Sequence, residues 1–247
     1  MTDFYETDEQ LGQYMDFHYG PEHFGVPNFP KTCADHCLAA QPQGRRALDL
    51  GCATGRSTLE LAKGFDQVVG MDLSHRFIDA AERFRRDGEL SYQLVDEGEL
   101  SHTETVSLEA LGLAEAAARV SFEEGDAGNL GPEYSGYDLI FAGNLIDRLY
   151  KPSRFLDSIH ERINDGGLLV IASPYTWLEE HTPKEEWIGG FKKDGENYTT
   201  LDGLKDHLSD HVRLVSEPEK VPFVIRETQH KFQHTLSEVT IWERLPR

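Results

Sequence analysis

The stretch Arg46-Ala-Leu-Asp-Leu-Gly-Cys-Ala-Thr-Gly-Arg56 carries the clearest chemistry in this chain of 247 residues. Ala47 to Leu50 reads as a buried strand that stops at Gly51 and turns through small residues into a helix near Ser57. A turn without bulky side chains lets the backbone approach a ligand closely, and the helix after it offers free N–H groups. A second apolar strand, Gln67-Val-Val-Gly-Met71, ends in Asp72, where a carboxylate at a strand tip can grip a ribose diol. A turn for a carboxylate or phosphate, followed by an acid for a ribose, points to a nucleoside-containing cofactor.

Two cofactors fit that pattern. The dinucleotide fingerprint is Gly-x-Gly-x-x-Gly. Here Gly51, Ala53 and Gly55 break its spacing, and Arg56 stands where the third glycine would pack. The Asp-x-Gly-x-x-x-Gly form, Asp49 to Gly55, instead resembles motif I of class I S-adenosylmethionine (SAM)-dependent methyltransferases. Further segments resemble that family in the right order: Asp72 with Leu73, then Glu124-Gly-Asp126-Ala127, Tyr137-Asp-Leu-Ile-Phe-Ala142 and Gly166-Gly-Leu-Leu-Val-Ile-Ala-Ser173. The resemblance implies SAM as cofactor and S-adenosylhomocysteine as product. It places Asp49, Gly51, Cys52, Ala53, Gly55 and Arg56 around the turn, Asp72 and Leu73 at the ribose, and Asp126 and Ala127 at the adenine. A degenerate domain that binds nothing would have no use for both Asp72 and Asp126.

The chain has 44 acidic against 24 basic residues, a formal net charge of −20. Such acidity repels phosphate backbones, so nucleic acid is not an expected partner. A small zwitterionic or cationic substrate, or a protein, is easier to accommodate, and solubility accounts for most of the charge. Cys33, Cys37 and Cys52 make no disulfide framework. Cys33 and Cys37 read as reduced structural thiols, and the scattered histidines lack ligand spacing, so no metal is expected. No segment has a signal peptide's apolar core or transmembrane length, so a cytoplasmic enzyme with no membrane partner is expected.

Strands alternating with helices imply an α/β fold with a mostly parallel sheet. The family resemblance makes it a Rossmann-like, doubly wound, seven-stranded sheet with an antiparallel edge strand. One domain is expected over 1–247. Residues 1–45 would form lid helices, with Tyr5, Leu11, Tyr14, Met15, Phe17 and Tyr19 on one helix ending at Gly20-Pro21, and a second helix from Cys33 to Ala40 closed by Gln41-Pro42. Residues 46–173 would be the cofactor-binding core, interrupted near 90–119 by an insertion with a strand at Leu90–Val95, a polar stretch Glu97–Thr105 and a helix at Leu108–Ala118. Residues 174–247 would supply a long substrate loop, Pro174 to Asn197, a helix and the last strands.

Ligands of such sheets sit at the carboxyl ends of the strands where strand order reverses. The segments expected there are Asn144-Leu-Ile-Asp-Arg-Leu-Tyr150, Ser173-Pro-Tyr-Thr-Trp-Leu-Glu-Glu180, Thr182-Pro-Lys-Glu-Glu-Trp-Ile-Gly-Gly190 and Pro222-Phe-Val-Ile-Arg-Glu-Thr228. With Asp16-Phe-His-Tyr-Gly20 and His75-Arg-Phe-Ile-Asp79, they resemble the methyltransferase module of ovothiol biosynthesis over nearly the whole chain. That module is usually the C-terminal part of a bifunctional 5-histidylcysteine sulfoxide synthase. The iron-dependent half is absent here, which implies a stand-alone enzyme receiving its substrate from a separate sulfoxide synthase or selenium-inserting enzyme. The implied reaction methylates the imidazole Nπ of 5-thiohistidine, or of its selenium analogue selenohistidine. Another small imidazole or amine acceptor, or a SAM-binding protein without turnover, remains an alternative.

Asn144 is a candidate for both cofactor and substrate, and Asn144, Asp147, Tyr175 and His18 are the catalytic candidates. Arg148 could clamp a substrate carboxylate. Tyr175 and Trp177 could hold a flat ring or a sulfonium. Glu179 or Glu180 could meet an ammonium, and Arg226 with Glu227 forms a second possible clamp or a buried pair. Tyr14 or Tyr19 could reach the cofactor carboxylate. His18 is either a base or the cap of a turn.

Overall fold

The computed structural model describes residues 5–41 and 43–246. Helix α1 (Asp8–Tyr19) starts where the Thr7 side chain accepts the Gln10 N–H, and it buries Met15 and Tyr19. Helix α2 (Phe29–Ala40) is capped by Asn28 and buries Cys33 and Cys37 as free thiols. Pro42 of its expected close, and residues 1–4 of the expected lid, lie outside the described residues. Strand β1 (Gly44–Leu50), the short helix α3 (Arg56–Leu61), β2 (Phe65–Asp72) and α4 (His75–Asp87) follow within a few residues of expectation. Ser74 caps α4 and Gly88, at φ +78°, ends it.

The insertion departs from expectation. It is a hairpin of β3 (Glu89–Glu97) and β4 (Leu100–Ser107). Leu90, Tyr92 and Leu94 alternate inward on β3, so one face has a core to bury. β4 exposes nearly all of its residues. It is held by backbone pairing and by polar pairs such as Ser91–Thr105 and Gln93–Thr103. Composition alone hid this strand, because its partner and not its side chains provides the stabilisation. The expected helix at Leu108–Ala118 is instead a run of turns ending in a short 3-10 segment, Ala116–Arg119. Leu108 and Leu113 are both buried there.

Strand β5 (Val120–Glu124), β6 (Tyr137–Gly143), α5 (Pro152–Ile159) and β7 (Ile163–Ser173) complete the parallel part of the sheet. The long loop after β7 contains the small hairpin β8 (Phe191–Lys193) and β9 (Glu196–Tyr198), which sequence reading missed. Helix α6 (Thr200–Leu208) opens with a capping box between Thr199 and Asp202. Three strands end the chain: β10 (Val212–Leu214), β11 (Glu219–Thr228) and β12 (Lys231–Arg244).

The central sheet runs β10-β12-β7-β6-β1-β2-β5, with β11 pairing β12 as an eighth strand. Pairs among β5, β2, β1, β6 and β7 are parallel, and those of β12 with β7, β10 and β11 are antiparallel. β1 leads to β2 on one side, and the chain later returns to β6 on the other. The strand order therefore reverses at the carboxyl ends of β1 and β6, where a crevice for ligand opens. Register puts Glu238 of β12 opposite Ser173, the last residue of β7. The β11–β12 hairpin thus projects beyond the carboxyl edge of the sheet. Among the described residues no helix is long and apolar enough to cross a membrane.

Candidate active site

The turn after β1 is built on unusual backbone. Gly51 and Gly55 have φ of 72° and 89°, and Ala53, a residue with a Cβ, has φ 45°. A Cβ on Gly55 would lie 2.4 Å from the Phe122 ring, so only glycine lets the turn pack on β5. Two other non-glycine residues with left-handed backbone stand at the same edge of the sheet. These are Asn144 after β6 (φ 51°) and Tyr175 after β7 (φ 53°). Backbone strain of this kind is held only where surrounding structure enforces it, and it gathers at functional sites.

Asp49 does not face the ligand. Its buried Oδ2 accepts the Ser57 and Thr58 hydroxyls at 2.6 and 2.7 Å, which ties α3 to β1. Burial pushes its carboxyl up to about 6, against those two hydroxyls. Arg56 is also structural: Nε donates to Glu60, and Nη1 to the His18 carbonyl. Cys52 is buried, its thiol directed to the Ala53 carbonyl.

Asp72 is half-buried at the tip of β2 and accepts two backbone N–H groups, Ala53 through Oδ2 and Ser74 through Oδ1, each at 2.9 Å. A carboxylate has about four acceptor positions, so both oxygens can still take ribose hydroxyls. Burial raises its pKa, while the Ser74, Ala53 and Leu73 N–H groups pull it back. Leu73 beside it is 54% exposed, an apolar face at a strand tip. The Gly125 N–H donates to the Asp72 carbonyl, which brings the Asp126-Ala127 turn next to it. Asp126 accepts the Gly128 N–H at 2.8 Å and is otherwise exposed. A glycine turn, a carboxylate with acceptor positions to spare, an exposed leucine and a second acid thus stand together at the carboxyl ends of β1, β2 and β5.

Helix α1 is bolted to the turn after β1. The Tyr19 hydroxyl donates to the Thr54 carbonyl at 2.7 Å, the Thr54 hydroxyl donates to the Tyr14 carbonyl, and the Arg56 N–H donates to His18 Nδ1 at 3.2 Å. Burial and the Arg56 charge push His18 down to about 3, so it is neutral at pH 7. Of its two expected roles the geometry fits the cap, since Nδ1 accepts the first N–H of α3. Tyr19 is likewise committed. Tyr14 is the tyrosine near enough to Asp72 and Arg148 for their charges to act on it. Burial, with Tyr5 and Asp72 close by, raises its pKa, so it stays a hydrogen-bond donor.

At the ends of β6 and β7 the chain builds a second group. The Asn144 N–H donates to the Ala172 carbonyl, and Asn144 Oδ1 accepts the Ser237 hydroxyl at 2.6 Å. Asp147 is fully buried. Its Oδ2 accepts Arg148 Nη1 at 3.0 Å and the Thr176 N–H at 2.9 Å, while Oδ1 has no partner among the described residues. Burial raises its pKa against the Arg148 charge. It therefore acts as an anchor for the loop after β7, out of reach of a substrate. Arg148 Nη1 also donates to the carbonyls of Asp147 and Thr176, which fixes the guanidinium at the mouth. Tyr175 donates its hydroxyl to Glu238 Oε1 at 3.0 Å.

Of four further expected substrate contacts, Trp177, Arg226 and Glu227 are engaged with other partners. Trp177 stacks on Trp187 at 6.2 Å and donates Nε1 to Thr200, packing the loop against α6. Glu179 is exposed and makes no side-chain hydrogen bond or ion pair among the described residues. Arg226 is buried and paired with Asp96 of β3 at 2.9 Å, a partner from the insertion that sequence spacing could not name. Glu227 is bound to Lys231 and Gln233 at the turn of the β11–β12 hairpin. Sequence reading passed over Ser237 and Glu238, which reach the site only through the antiparallel register of β12 on β7.

Residues 29–211 match the family model described as a methyltransferase domain. The chain belongs to the class I SAM-dependent methyltransferases. No curated protein matches it. Among solved structures, the magnesium protoporphyrin IX methyltransferase of Synechocystis PCC 6803, with S-adenosylhomocysteine bound, aligns at TM-score 0.57 and 15% identity, over 98% of this chain and 97% of that one. A protein described under conversion of a disulfide bond into a thioacetal group in echinomycin biosynthesis aligns at 0.57 and 18% identity, over 99% and 93%. A TehB-like SAM-dependent methyltransferase of Corynebacterium glutamicum aligns at 0.52 and 18% identity, over 89% and 90%. These likenesses establish the fold. In this methyltransferase the cofactor is SAM.

Proposed function

We propose that this methyltransferase transfers the methyl group of SAM to the imidazole Nπ of 5-thiohistidine or of selenohistidine, acting in the cytoplasm on an amino acid made by a separate enzyme. The observation that carries the reading is the polar fixture between the cofactor crevice and the acceptor end. Arg148 is immobilised by Asp147 and the Thr176 carbonyl, yet its other N–H groups have no hydrogen-bond partner among the described residues. A fixed guanidinium with spare donors suits an amino-acid carboxylate. The resemblance of the segments around Asn144, Pro174–Glu180 and Pro222–Thr228 to the ovothiol methyltransferase module supports the ring chemistry.

SAM supplies an electrophilic methyl on a sulfonium, whose neutral thioether needs no acid to leave. The protein's task is then to bind, orient and exclude water. Ala53 and Asp72 fix the turn, Tyr14 donates at the mouth, Arg148 holds the acceptor's carboxylate, and Asn144 presents its side-chain amide. Holding nitrogen and methyl in line can supply roughly 7–11 kcal/mol of the barrier. The test is turnover of SAM with 5-thiohistidine, selenohistidine, histidine and histamine, read by mass spectrometry, with NMR of the methyl position. Histidine or histamine as the best acceptor overturns the substrate assignment. SAM binding without S-adenosylhomocysteine formation on any of them overturns the activity.

A further inference from the structure

Two consecutive residues of β12 each restrain one of the strained residues at the acceptor end. Neighbours on a strand point to opposite faces of the sheet. Ser237 donates to Asn144 Oδ1 on one face, and Glu238 accepts the Tyr175 hydroxyl on the other. Both restraints leave something over. With one bond on its oxygen, Asn144 still has its amide N–H groups to donate. With Oε1 on Tyr175, Glu238 keeps Oε2 without a hydrogen-bond partner among the described residues, and it is half-buried, opposite the last residue of β7. A neutral imidazole has one N–H and one lone pair, and the hydrogen bond made by one nitrogen decides which of them carries the proton.

We infer that Glu238 selects the ring tautomer of the acceptor: its free oxygen accepts the N–H of the nitrogen that is not methylated and leaves the lone pair on the other. This rests on the proposed imidazole substrate. The free lone pair forms the new N–C bond, and the S–C electron pair departs with the sulfur. The proton stays on the second nitrogen against Glu238 before passing to that carboxylate or to water. The carboxylate also faces the positive charge that grows on the ring. Tyr175, held at φ 53°, serves to aim Glu238, which gives its backbone conformation a purpose.

The test compares wild type with Glu238→Leu and the isosteric Glu238→Gln in the full chain. Titration calorimetry with 5-thiohistidine, without SAM, is expected to show at least tenfold weaker binding in Glu238→Leu, with SAM affinity within twofold of wild type. NMR of the product is expected to show both ring N-methyl isomers from Glu238→Gln, whose side-chain amide can donate as well as accept, and one isomer from wild type. If Glu238→Leu fails to fold, Glu238→Gln carries the isomer readout, which decides alone. Unchanged acceptor affinity, or a single unchanged isomer from the variants, overturns the role of Glu238 alone. A wild type that binds no imidazole acceptor overturns the substrate reading and this inference with it.

Discussion

Replacing His18 by asparagine separates a cap from a base. Asn Oδ1 can sit where Nδ1 now accepts the Arg56 N–H, and it does not titrate between pH 3 and 7. In the folded wild type His18 is pushed down to about 3, against an ordinary value of 6.5. The unfolded chain therefore binds more protons in this window, and stability is lost as pH falls from about 6.5 towards 3. Asp49 acts in the opposite sense. Raised from 3.8 to about 6, it gains stability as pH falls through that range and masks His18 in a simple pH scan. The difference between wild type and His18→Asn cancels Asp49. Some stability is lost at every pH because the ring's contacts with Tyr14 and Phe17 go. On top of that constant, the wild-type advantage is expected to shrink by roughly 2–3 kcal/mol between pH 6 and pH 4. Urea unfolding followed by tryptophan fluorescence reads it, since Trp242 is buried in the core. A gap that stays constant from pH 6 to pH 4 would refute the argument that His18 is buried and neutral. The pH dependence of kcat is expected to be the same in both proteins, and loss of an ionisation near neutrality in the variant would restore His18 as a base.

Three further outcomes are expected. Asp72→Asn should weaken SAM binding by about 10²-fold, because hydrogen bonds to a charged acceptor contribute roughly 1.5–3 kcal/mol each; calorimetry with unchanged affinity would count against the ribose site. Gly55→Ala should lower the unfolding free energy in urea by about 1–3 kcal/mol, since its Cβ meets the Phe122 ring at 2.4 Å on left-handed backbone; adding Phe122→Leu should recover part of the loss. Trp177→Phe should leave the acceptor's Kd within threefold while costing about 1 kcal/mol for the Thr200 hydrogen bond, and a tenfold rise in Kd would return Trp177 to the substrate.

The strand ends that carry the candidate cofactor residues were readable in order because they are local. Gly51 to Gly55, Asp72 and Asp126 follow directly from strand ends, and an apolar run that stops at glycine or aspartate declares its own tip. Continuous apolar runs also gave the parallel strands, and amphipathic spacing gave most helices. Tertiary structure decided which of those residues are already committed to partners within the chain. Asp49, His18, Arg56 and Tyr19 look like ligand contacts in sequence, yet each is spent holding the turn, because a strained backbone must be satisfied by neighbours that only the packing of α1 supplies. The acceptor half was less legible. Arg226 found Asp96 across the inserted hairpin, and Ser237 and Glu238 entered through the register of an antiparallel strand. Register is a relation between distant segments, set by which faces are buried on both, so no single stretch of the chain contains it.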